Sequence, residues 1–509
     1  MAYPRLQRDV VLRASSGCGV HLAGNGPVRV LQIGEGRFLR GFFDWMIHAC
    51  RKQGLFDGSI AVTQPRPGGA EVLRALQAQD GLYTLVVRGL EDGTPVERSE
   101  VIAVFSTILN PFEQWAEFLA LAEDPHLQFV VSNTTEAGLV YEPVPVPETA
   151  CPASFPARLT WFLYRRFRHF QGAADKGLIC LPCELVEGNG DRLREYVVRH
   201  SADWGLPDAF VCWLKQHNRF LNSLVDRIVT ACPSAEAEAW RRRLGYEDDF
   251  LTVAEPYYLW VIQGDEAVER VLPFRAAGLN VHVVADLTPY QLRKVRILNG
   301  AHTLMAPVGI LSGLTHVREV MADAELAAHV RSAIDDEVIP TLPLDQAETK
   351  QYAATVWERF ANPFLEHRLL DIAMNSISKF RVRVLPSLRA YVERKGALPP
   401  RIVRSFAALI RLYKVRRAED GAAGYAGITW RGTPYVLRDD PEVLARFHQA
   451  WCAFERREIA LRDMVRSLLA QPELWGEDLG GVEGLVDALC RELQDMEHQQ
   501  DLSIPISLR

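Results

Sequence analysis

Short apolar runs alternate with helical patterns over about the first 290 residues of the chain. The runs at 28–33, 60–63, 129–132, 178–181 and 281–285 have the length of buried strands, and helical stretches separate them. Such alternation predicts a mainly parallel sheet that is covered by helices. The first part of the sequence therefore predicts an α/β domain.

The rest of the chain has a different pattern. Helical periodicity dominates at 401–414 and 441–471, strand patterns almost vanish, and turn residues cluster at 398–400 and 419–427. A chain of 509 residues also exceeds the size at which one hydrophobic core stops growing. We predict an α/β domain with insertions at 1–289 and a mostly α-helical domain at 290–509.

Composition and charge narrow the class of protein. Hydrophobic residues make up 48% and charged residues 24%, which is typical of a globular protein and argues against extensive disorder. The net charge of −7 gives no general attraction for nucleic acid or for anionic lipid, so neither is expected as a partner. Nine scattered cysteines and no apolar leader after the basic start favour reduced thiols in a cytoplasmic protein.

One uncharged run, 297–317, is long enough to be considered as a membrane span. It contains Asn299, His302, Pro307, His316 and three glycines, so we interpret it as a buried segment or one that lines a site. The membrane interpretation is the alternative.

Two further patterns are interpreted as structural. Cys180 and Cys183 form a lone Cys-x-x-Cys pair in an apolar strand, so packing is expected, and no histidine spacing predicts a metal site. An aromatic stretch at 161–164 with Arg165, Arg166 and Arg168 is interpreted as an amphipathic helix with a solvated basic side, which is not a nucleic-acid surface.

The first predicted strand ends in a glycine turn. Gly34 permits a tight turn, and Gly36 lacks the Cβ that would keep a pyrophosphate away from the backbone. Leu39 stands where the usual fingerprint has its third glycine. A dinucleotide site is favoured over a purely structural turn. Its predicted contacts are Ile33, Gly34, Gly36, Arg37 and Phe38.

The second predicted strand leaves the choice of nucleotide open. A carboxylate commonly follows this strand and binds the ribose 2′-hydroxyl. None follows here, and Arg66 could meet a 2′-phosphate or could simply be solvated. The residues alone therefore do not separate NAD from NADP.

The segment 286–302 carries the candidate catalytic groups. If it is helical after Pro289, Lys294, Asn299 and His302 lie within an arc of about 140°, at about 100° per residue. Hydride transfer to a ketone needs donors for the carbonyl oxygen and a proton for the resulting alkoxide, and these side chains can supply both. The alternative is a solvated Lys294 and a core His302.

This segment resembles the signature of the long-chain polyol and mannitol dehydrogenase family, and the similarity spans nearly the whole chain. Other matching blocks are GEGRFLR at 34–40, TEAG at 135–138, PCE at 182–184, NGD at 189–191, NSLVDRI at 222–228, EPY at 255–257 and NP at 362–363. The resemblance implies a Rossmann-like nucleotide domain, a helical domain that closes the substrate cleft, and a metal-independent dehydrogenase. Lys294 would be its general acid/base, and Asn299 and His302 would polarise the carbonyl.

The resemblance is greatest to members of the family that act on uronates. It implies that Thr135 and Glu136 contact the nucleotide, with Glu136 a candidate proton relay, and that Asn222 and Asp226 bind substrate. The chain has Cys-Glu-Leu at 183–185, where polyol-oxidising members commonly have Cys-Asp-Asn. The acidic ribose ligand is also missing near Arg66. Uronate-specific members are similar in both respects and are usually NAD-linked, so NAD is expected, with NADP not excluded.

The expected reaction is the interconversion of D-tagaturonate and D-altronate. A uronate carries a carboxylate, and Lys379, Arg381 and Arg383 form a basic cluster that could bind it. We predict that at least one of Lys379 and Arg381 does so, while Arg383 could pair elsewhere and the whole cluster could be a solvated face. Other candidates are fructuronate reduction to mannonate, oxidation of mannitol or arabinitol, and a nucleotide-binding regulator without turnover. The oligomeric state stays open.

Overall fold

The computed structural model describes residues 3–14, 26–417 and 424–503, and the chain divides into two compact units. The first unit comprises Met1–Arg88 and Pro95–Thr288, and the second comprises Gly89–Thr94 and Pro289–Arg509. None of the helices in the described ranges combines the length and the apolar character that a membrane span needs.

The strands that lie wholly or mostly in the first unit are numbered in chain order; residues 89–91 and 94, at the ends of two of them, are assigned to the second unit. They are β1 (Val28–Ile33), β2 (Ser59–Thr63), β3 (Tyr83–Glu91), β4 (Thr94–Ile102), β5 (Phe105–Leu109), β6 (Phe129–Ser132), β7 (Ile179–Pro182), β8 (Arg219–Phe220), β9 (Ser223–Asp226), β10 (Val229–Ala231), β11 (Thr252–Ala254), β12 (Leu259–Gln263) and β13 (Val281–Val284). Each of the five strands predicted from the sequence is present to within one residue at either end.

The central sheet of the first unit is parallel, with the strand order β5-β2-β1-β6-β7-β8. Ile33, the last residue of β1, lies beside Thr63 of β2 and Ser132 of β6. The chain runs outward through β2 and β5 and then returns to the other side of β1 as β6. The strand order therefore reverses between β1 and β6, which is the place where open parallel sheets bind ligands beyond their carboxyl ends.

Both faces of this sheet are buried. Val30 of β1 packs on one face with Phe42 and Met46. Its neighbour Leu31 packs on the other face in the cluster that contains Phe162. Successive strand residues point to opposite faces, so a strand that is covered on both sides reads as a continuous apolar run. The predicted α/β fold with a mainly parallel sheet is confirmed.

Two smaller sheets complete the first unit, with the orders β10-β11-β3-β4 and β13-β12-β9. Each is mixed, because β11 is parallel to β3 but antiparallel to β10, and β12 is parallel to β13 but antiparallel to β9. The α-helices are Arg8–Ala14, Arg37–Leu39, Trp45–Lys52, Ala70–Ala78, Trp115–Ala120, Phe155–His169, Asn189–Asp203, Asp208–His217, Ala237–Leu244 and Glu266–Val271. A π-helical segment, Arg40–Asp44, joins the second and third of these into one helix.

The second unit is mostly helical, as predicted. Its α-helices are Thr288–Arg293, Gly300–Leu311, Val317–Ala322, Ala324–Ser332, Gln346–Phe360, Leu369–Ile372, Ser376–Arg383, Leu385–Lys395, Pro400–Leu412, Pro441–Glu455, Leu461–Leu469, Pro472–Trp475 and Leu485–Ser503. Lys294–Asn299 and Ala333–Val338 are π-helical. Every residue of Gly300–Leu311 is buried, so the apolar run suspected of crossing a membrane is a core helix.

Strands are few and short in the part of the second unit that the structure describes, in line with the near absence of strand patterns. A small antiparallel sheet is formed by β14 (Arg416–Arg417), β15 (Tyr425–Ile428) and β16 (Pro434–Leu437). The turn predicted at 419–427 lies partly outside the described residues, and its end belongs to β15. The helical pattern at 441–471 corresponds to two helices, Pro441–Glu455 and Leu461–Leu469, which residues 456–460 connect.

Candidate active site

The glycine turn, residues 34–36, follows β1 at the point where the strand order reverses. Gly34 has φ +121, and a Cβ on it would lie 2.9 Å from the carbonyl oxygen of Asn133. Its N–H donates to the carbonyl of Thr63 across 2.8 Å. Gly34 is therefore required by the backbone itself.

Gly36 is a different case. Its φ of −63 suits any residue, and a Cβ on it would meet no atom within 4 Å. The fold alone therefore gives no reason for glycine at this position. A reason exists if a ligand approaches the backbone here, because the following helix offers unpaired N–H groups and a partial positive charge. This observation favours a nucleotide site over a purely structural turn.

The residues after Gly36 fix the turn from one side. Arg37 is exposed, and Phe38 stacks on Phe42 with ring centroids 4.9 Å apart. The buried Arg40 donates to the carbonyl of Glu35 and, across 3.2 Å, to Thr252 Oγ1. The turn is thereby tied to the helix that follows it.

The loop after β6 approaches the same sheet edge. Thr135 has φ +72, a strained value for a residue with a branched side chain, and Glu136 begins a short 3-10 helix with its side chain exposed. The buried Glu184 carboxylate accepts hydrogen bonds from Thr134 N at 2.8 Å, Thr134 Oγ1 at 3.0 Å and Ser132 Oγ at 3.1 Å. Glu184 thus holds the segment that precedes the strained residue.

The loop after β2 is fixed by a buried cation. Arg158 donates to the carbonyls of Gln64 and Pro65 across 2.9 and 2.7 Å, while Arg66 stays exposed. A carboxylate does occur nearby, although later than the usual position. Glu71, in the first turn of Ala70–Ala78, lines a cavity of about 610 Å³ together with Gly36.

Lys294 and Asn299 bound a π-helical segment of the second unit. A π-helix is closed by hydrogen bonds between residues five apart, so it has more residues per turn than an α-helix. Lys294 and Asn299 are five apart and therefore lie closer in angle than the predicted arc, which assumed α-helical geometry. Both side chains are half-buried, and the Asn299 carbonyl accepts from Thr303 Oγ1 across 2.9 Å.

His302 lies one turn further along and is 7% exposed. Its ring stacks on Phe360 at 4.3 Å and meets His367 edge-on at 4.7 Å. Within the described residues, its Nε2 is buried without a hydrogen-bond partner. A core histidine is normally hydrogen-bonded, so a buried ring nitrogen without a partner is unusual for a residue with a purely structural role. This nitrogen could donate to a ligand or accept from it.

Three cationic side chains and a second histidine lie near this ring. Burial, and then His367, Arg383, Arg359 and Lys379, hold the pKa of His302 well below its usual value, and burial lowers the pKa of His367 as well. The imidazole is therefore neutral, and one nitrogen donates while the other accepts. We call His302, Phe360, His367, Lys379 and Arg383 the histidine pocket.

The basic side chains of the helix Ser376–Arg383 do not all face His302. Lys379 and Arg383 are four residues apart, and both lower the pKa of His302. Arg383 also donates to Thr303 Oγ1 across 3.5 Å. Lys379 donates to the carbonyl of Ile372 across 2.9 Å. Arg381 is exposed, and its side chain packs against Gly476 instead. Of the cluster, Lys379 and Arg383 act on the pKa of His302, and Arg381 does not. Substrate binding by Lys379 or Arg381 stays a prediction.

Asn222 and Asp226, the remaining predicted substrate ligands, belong to the first unit. The Asn222 side chain accepts from Asp191 N at 3.0 Å and donates to Asp191 Oδ2 and Gln263 Oε1 at 2.8 and 2.9 Å. These bonds give it a structural role near the start of Asn189–Asp203. Asp226 is buried at the end of β9. Their contact with substrate stays a prediction.

The two patterns interpreted as structural have different outcomes. Cys180 and Cys183 are free and buried, and burial raises the pKa of each thiol, as expected for packing. Arg166 is only 1% exposed, because its guanidinium donates to four backbone carbonyls, so the predicted solvated role was wrong for this residue. Among the described residues, no three His, Cys, Asp or Glu side chains cluster as metal ligands.

Sequence reasoning missed Glu71, Phe360 and His367. It named Arg383 in the basic cluster without predicting it as a ligand, and it quoted Glu184 only within a matching block. The spacing of four between Lys379 and Arg383 was the usable signal. The missed residues come from elements far apart in the sequence.

Comparison with protein-family models covers both parts of the chain. Residues 28–274 match the mannitol dehydrogenase Rossmann domain, and residues 286–497 match the mannitol dehydrogenase C-terminal domain.

Among curated relatives, an altronate oxidoreductase of Bacillus subtilis is 42% identical over 91% of this chain and 92% of its own length. An altronate oxidoreductase of Pectobacterium atrosepticum is 43% identical over 92% of this chain and 94% of its own. The identity extends over nearly the whole of each relative.

Two solved structures share the fold. A mannitol 2-dehydrogenase of Pseudomonas fluorescens, in complex with NAD and D-mannitol, has a TM-score of 0.68 and 21% identity, covering 99% of both chains. A D-sorbitol dehydrogenase has a TM-score of 0.78 and 21% identity, covering 98% of this chain and 100% of that one.

Proposed function

This chain belongs to the mannitol dehydrogenase family, and we propose that it interconverts D-tagaturonate and D-altronate with NAD. It is an oxidoreductase that acts on CH–OH groups. The relatives named altronate oxidoreductase support the choice of substrate. The observation that carries it is the histidine pocket, where Arg383 and Lys379 come from one helix and Arg383 lies 3.5 Å from Thr303 Oγ1, next to His302.

A cationic pocket suits a substrate with a carboxylate. Arg383 and Lys379 would hold the carboxylate of the keto-uronate, since a guanidinium pairs with carboxylate oxygens and an ammonium adds a point charge. A neutral polyol offers no charge to offset these side chains. The pocket therefore favours a uronate over mannitol or arabinitol.

The carbonyl would lie beside the π-helical segment. The neutral His302 and the Asn299 amide would donate to the carbonyl oxygen, and so stabilise the negative charge that grows on it. Lys294 would deliver the proton to that oxygen, which leaves a CH–OH group and a neutral amine. In the oxidative direction, the same amine would take the proton from the hydroxyl.

The nicotinamide nucleotide supplies or accepts the hydride. In the first unit, the glycine turn with Ile33, Arg37 and Phe38 would hold its pyrophosphate, and Thr135 and Glu136 would lie against it at the strand-order reversal. Glu71 would accept a hydrogen bond from a ribose hydroxyl, which favours NAD over NADP. The exposed Arg66 is the feature that would favour NADP instead.

We also propose that the enzyme acts in the cytoplasm, in hexuronate breakdown. The eight described cysteines are all free, which suits a reducing compartment.

The test is NADH consumption by the purified protein with tagaturonate, fructuronate, fructose and xylulose. We expect the highest kcat/KM with tagaturonate, a lower value with fructuronate, and little turnover of the neutral ketoses. Faster turnover of fructose would contradict the carboxylate argument. Faster turnover of fructuronate would keep that argument but replace the substrate. Binding of NADH with no turnover of any ketose would favour a nucleotide-binding regulator.

A further inference from the structure

A buried polar network lies directly beneath the glycine turn. The fully buried Gln32 donates from Nε2 to the carbonyl of Gly34 across 2.9 Å, and the same nitrogen is 3.4 Å from Oδ2 of Asp44. Asp44 is also fully buried, at the end of the π-helical segment Arg40–Asp44. Tyr83 donates to the carbonyl of Arg40 across 2.8 Å, and its hydroxyl is 3.5 Å from Asp44 Oδ2. The proposed function makes no use of this carboxyl.

The geometry indicates a neutral carboxyl. Hydrogen bonds to an ionised carboxylate are normally about 2.5 to 2.9 Å long. The Gln32 amide is 3.4 Å from Asp44 Oδ2, and the Tyr83 hydroxyl is 3.5 Å away with its proton directed to the carbonyl of Arg40. Its second oxygen, Oδ1, is buried without a partner within the described residues. An ionised group would leave a charged oxygen in that position without a hydrogen bond.

The charged and titratable groups around Asp44 come from three directions. Arg40 is on its own helix, Tyr83 is on β3, and Cys183 follows β7. Asp248 acts on Arg40 and Tyr83. Burial raises the pKa of Asp44 to about 7, against the opposing effects of Gln32, Arg40 and Tyr83.

We propose that Asp44 is a positioning residue for the nucleotide, which holds the Gly34 carbonyl in place through Gln32 and does so in its neutral form. This inference rests on the proposed function, in which the glycine turn binds the pyrophosphate. Asp44 itself touches no substrate. It acts through an amide that already donates to the turn.

Ionisation of Asp44 weakens nucleotide binding for two reasons. A carboxylate attracts the Gln32 amide more strongly than a neutral carboxyl does, so the amide is drawn away from the Gly34 carbonyl. A buried negative charge beneath the turn also repels the phosphates. Binding therefore favours the protonated form, and the affinity for NADH falls as the pH rises through the pKa of Asp44.

The test measures the dissociation constant of NADH by fluorescence titration of the full chain, from about pH 5.5 to about pH 9. For the wild-type protein we expect the constant to rise about tenfold across this range. Asp44→Asn is isosteric and stays neutral, so its constant should remain flat at the acidic wild-type value. Asp463→Asn, an exposed change on Leu461–Leu469, should follow the wild type.

A second variant separates positioning from a general effect on folding. Tyr83→Phe removes a hydroxyl whose hydrogen bond lowers the pKa of Asp44, so the midpoint of the NADH profile should move to higher pH. A purely structural role would change the affinity by the same factor at every pH.

The outcomes are distinct. A profile for Asp44→Asn that is parallel to that of the wild type, or an unmoved midpoint in Tyr83→Phe, overturns the inference alone. If NADH does not bind the wild-type protein at any pH, the proposed function and the inference both fail.

Discussion

The glycine turn of the first unit and the histidine pocket of the second unit differ in what they are made of. The turn is formed by backbone, and the absence of a Cβ at its two glycines determines what it can do. A Cβ on Gly34 would clash with the carbonyl of Asn133, whereas a Cβ on Gly36 would occupy open space. The pocket is built from side chains on three separate parts of the chain, His302, Phe360 with His367, and the helix that carries Lys379 and Arg383.

The difference extends to charge. Beneath the turn, the carboxyl of Asp44 is buried, and burial raises its pKa to about 7, which favours the neutral form. In the pocket, positive groups are brought together around a histidine that is itself kept neutral. Both arrangements suit an anionic ligand, because one removes a negative charge and the other concentrates positive charge. The proposed function assigns the pyrophosphate to the first and the substrate carboxylate to the second.

The largest expected effect separates chemistry from nucleotide binding. Lys294→Ala removes the proposed proton donor, so kcat for tagaturonate should fall by about a thousandfold or more, since general acid–base catalysis contributes about 10² to 10⁴. The glycine turn belongs to the other unit, so the dissociation constant of NADH should stay within about twofold of the wild type. Stopped-flow turnover and NADH fluorescence titration measure the two. Turnover near the wild-type rate would refute the role of Lys294.

The second largest effect is expected on the affinity for the nucleotide, without an effect on stability. Gly36→Ala adds a methyl group that meets no protein atom and suits the observed φ, so thermal stability should be unchanged. The methyl group would occupy the approach of the pyrophosphate, and the dissociation constant of NADH should rise about a hundredfold. Gly34→Ala is the matched control. Its φ of +121 and the nearby Asn133 carbonyl predict a lower melting temperature as well. Unchanged NADH binding in Gly36→Ala would contradict the nucleotide site.

A third change concerns the substrate. Arg383→Ala should raise KM for tagaturonate by about 10- to 100-fold, since a hydrogen bond to a charged group contributes about 1.5 to 3 kcal/mol. KM for a neutral ketose should change little. Arg381→Ala, on the same helix but packed against Gly476, is the matched control and should leave both values near the wild type. A larger effect in Arg381→Ala would restore the assignment made from the sequence. Equal effects of Arg383→Ala on both substrates would exclude a carboxylate contact.

The same comparison explains what the sequence could predict. β1, the glycine turn and the following helix are contiguous, so their pattern specifies the local backbone and the prediction held for Gly34. Lys294, Asn299 and His302 are also local to one helix, although only the structure reveals the π-helical segment that brings the first two closer in angle.

Side chains that meet from distant segments left no such pattern. Phe360 and His367 reach His302 from about 60 residues away in sequence, and nothing in the intervening residues indicates it. Arg166 resembles a solvated residue until its four carbonyl partners are known. Burial of long polar side chains depends on tertiary contacts, which a single sequence does not display.

The smallest expected effect concerns the choice between NADH and NADPH. It should change nucleotide binding in the first unit and leave substrate binding in the second unit unchanged. Glu71 lines the cavity beside Gly36, and it would accept a hydrogen bond from a ribose hydroxyl and repel a 2′-phosphate. Glu71→Gln should therefore weaken NADH binding and strengthen NADPH binding, so that the ratio of their dissociation constants shifts by about tenfold. Glu148→Gln, an exposed change elsewhere in the first unit, is the control. KM for tagaturonate should not change in either variant, because the histidine pocket is untouched. A preference of the wild-type protein for NADPH, or an unchanged ratio in Glu71→Gln, would contradict the role of Glu71. Arg66, the charged side chain on the loop after β2, would then be the candidate that determines nucleotide selectivity.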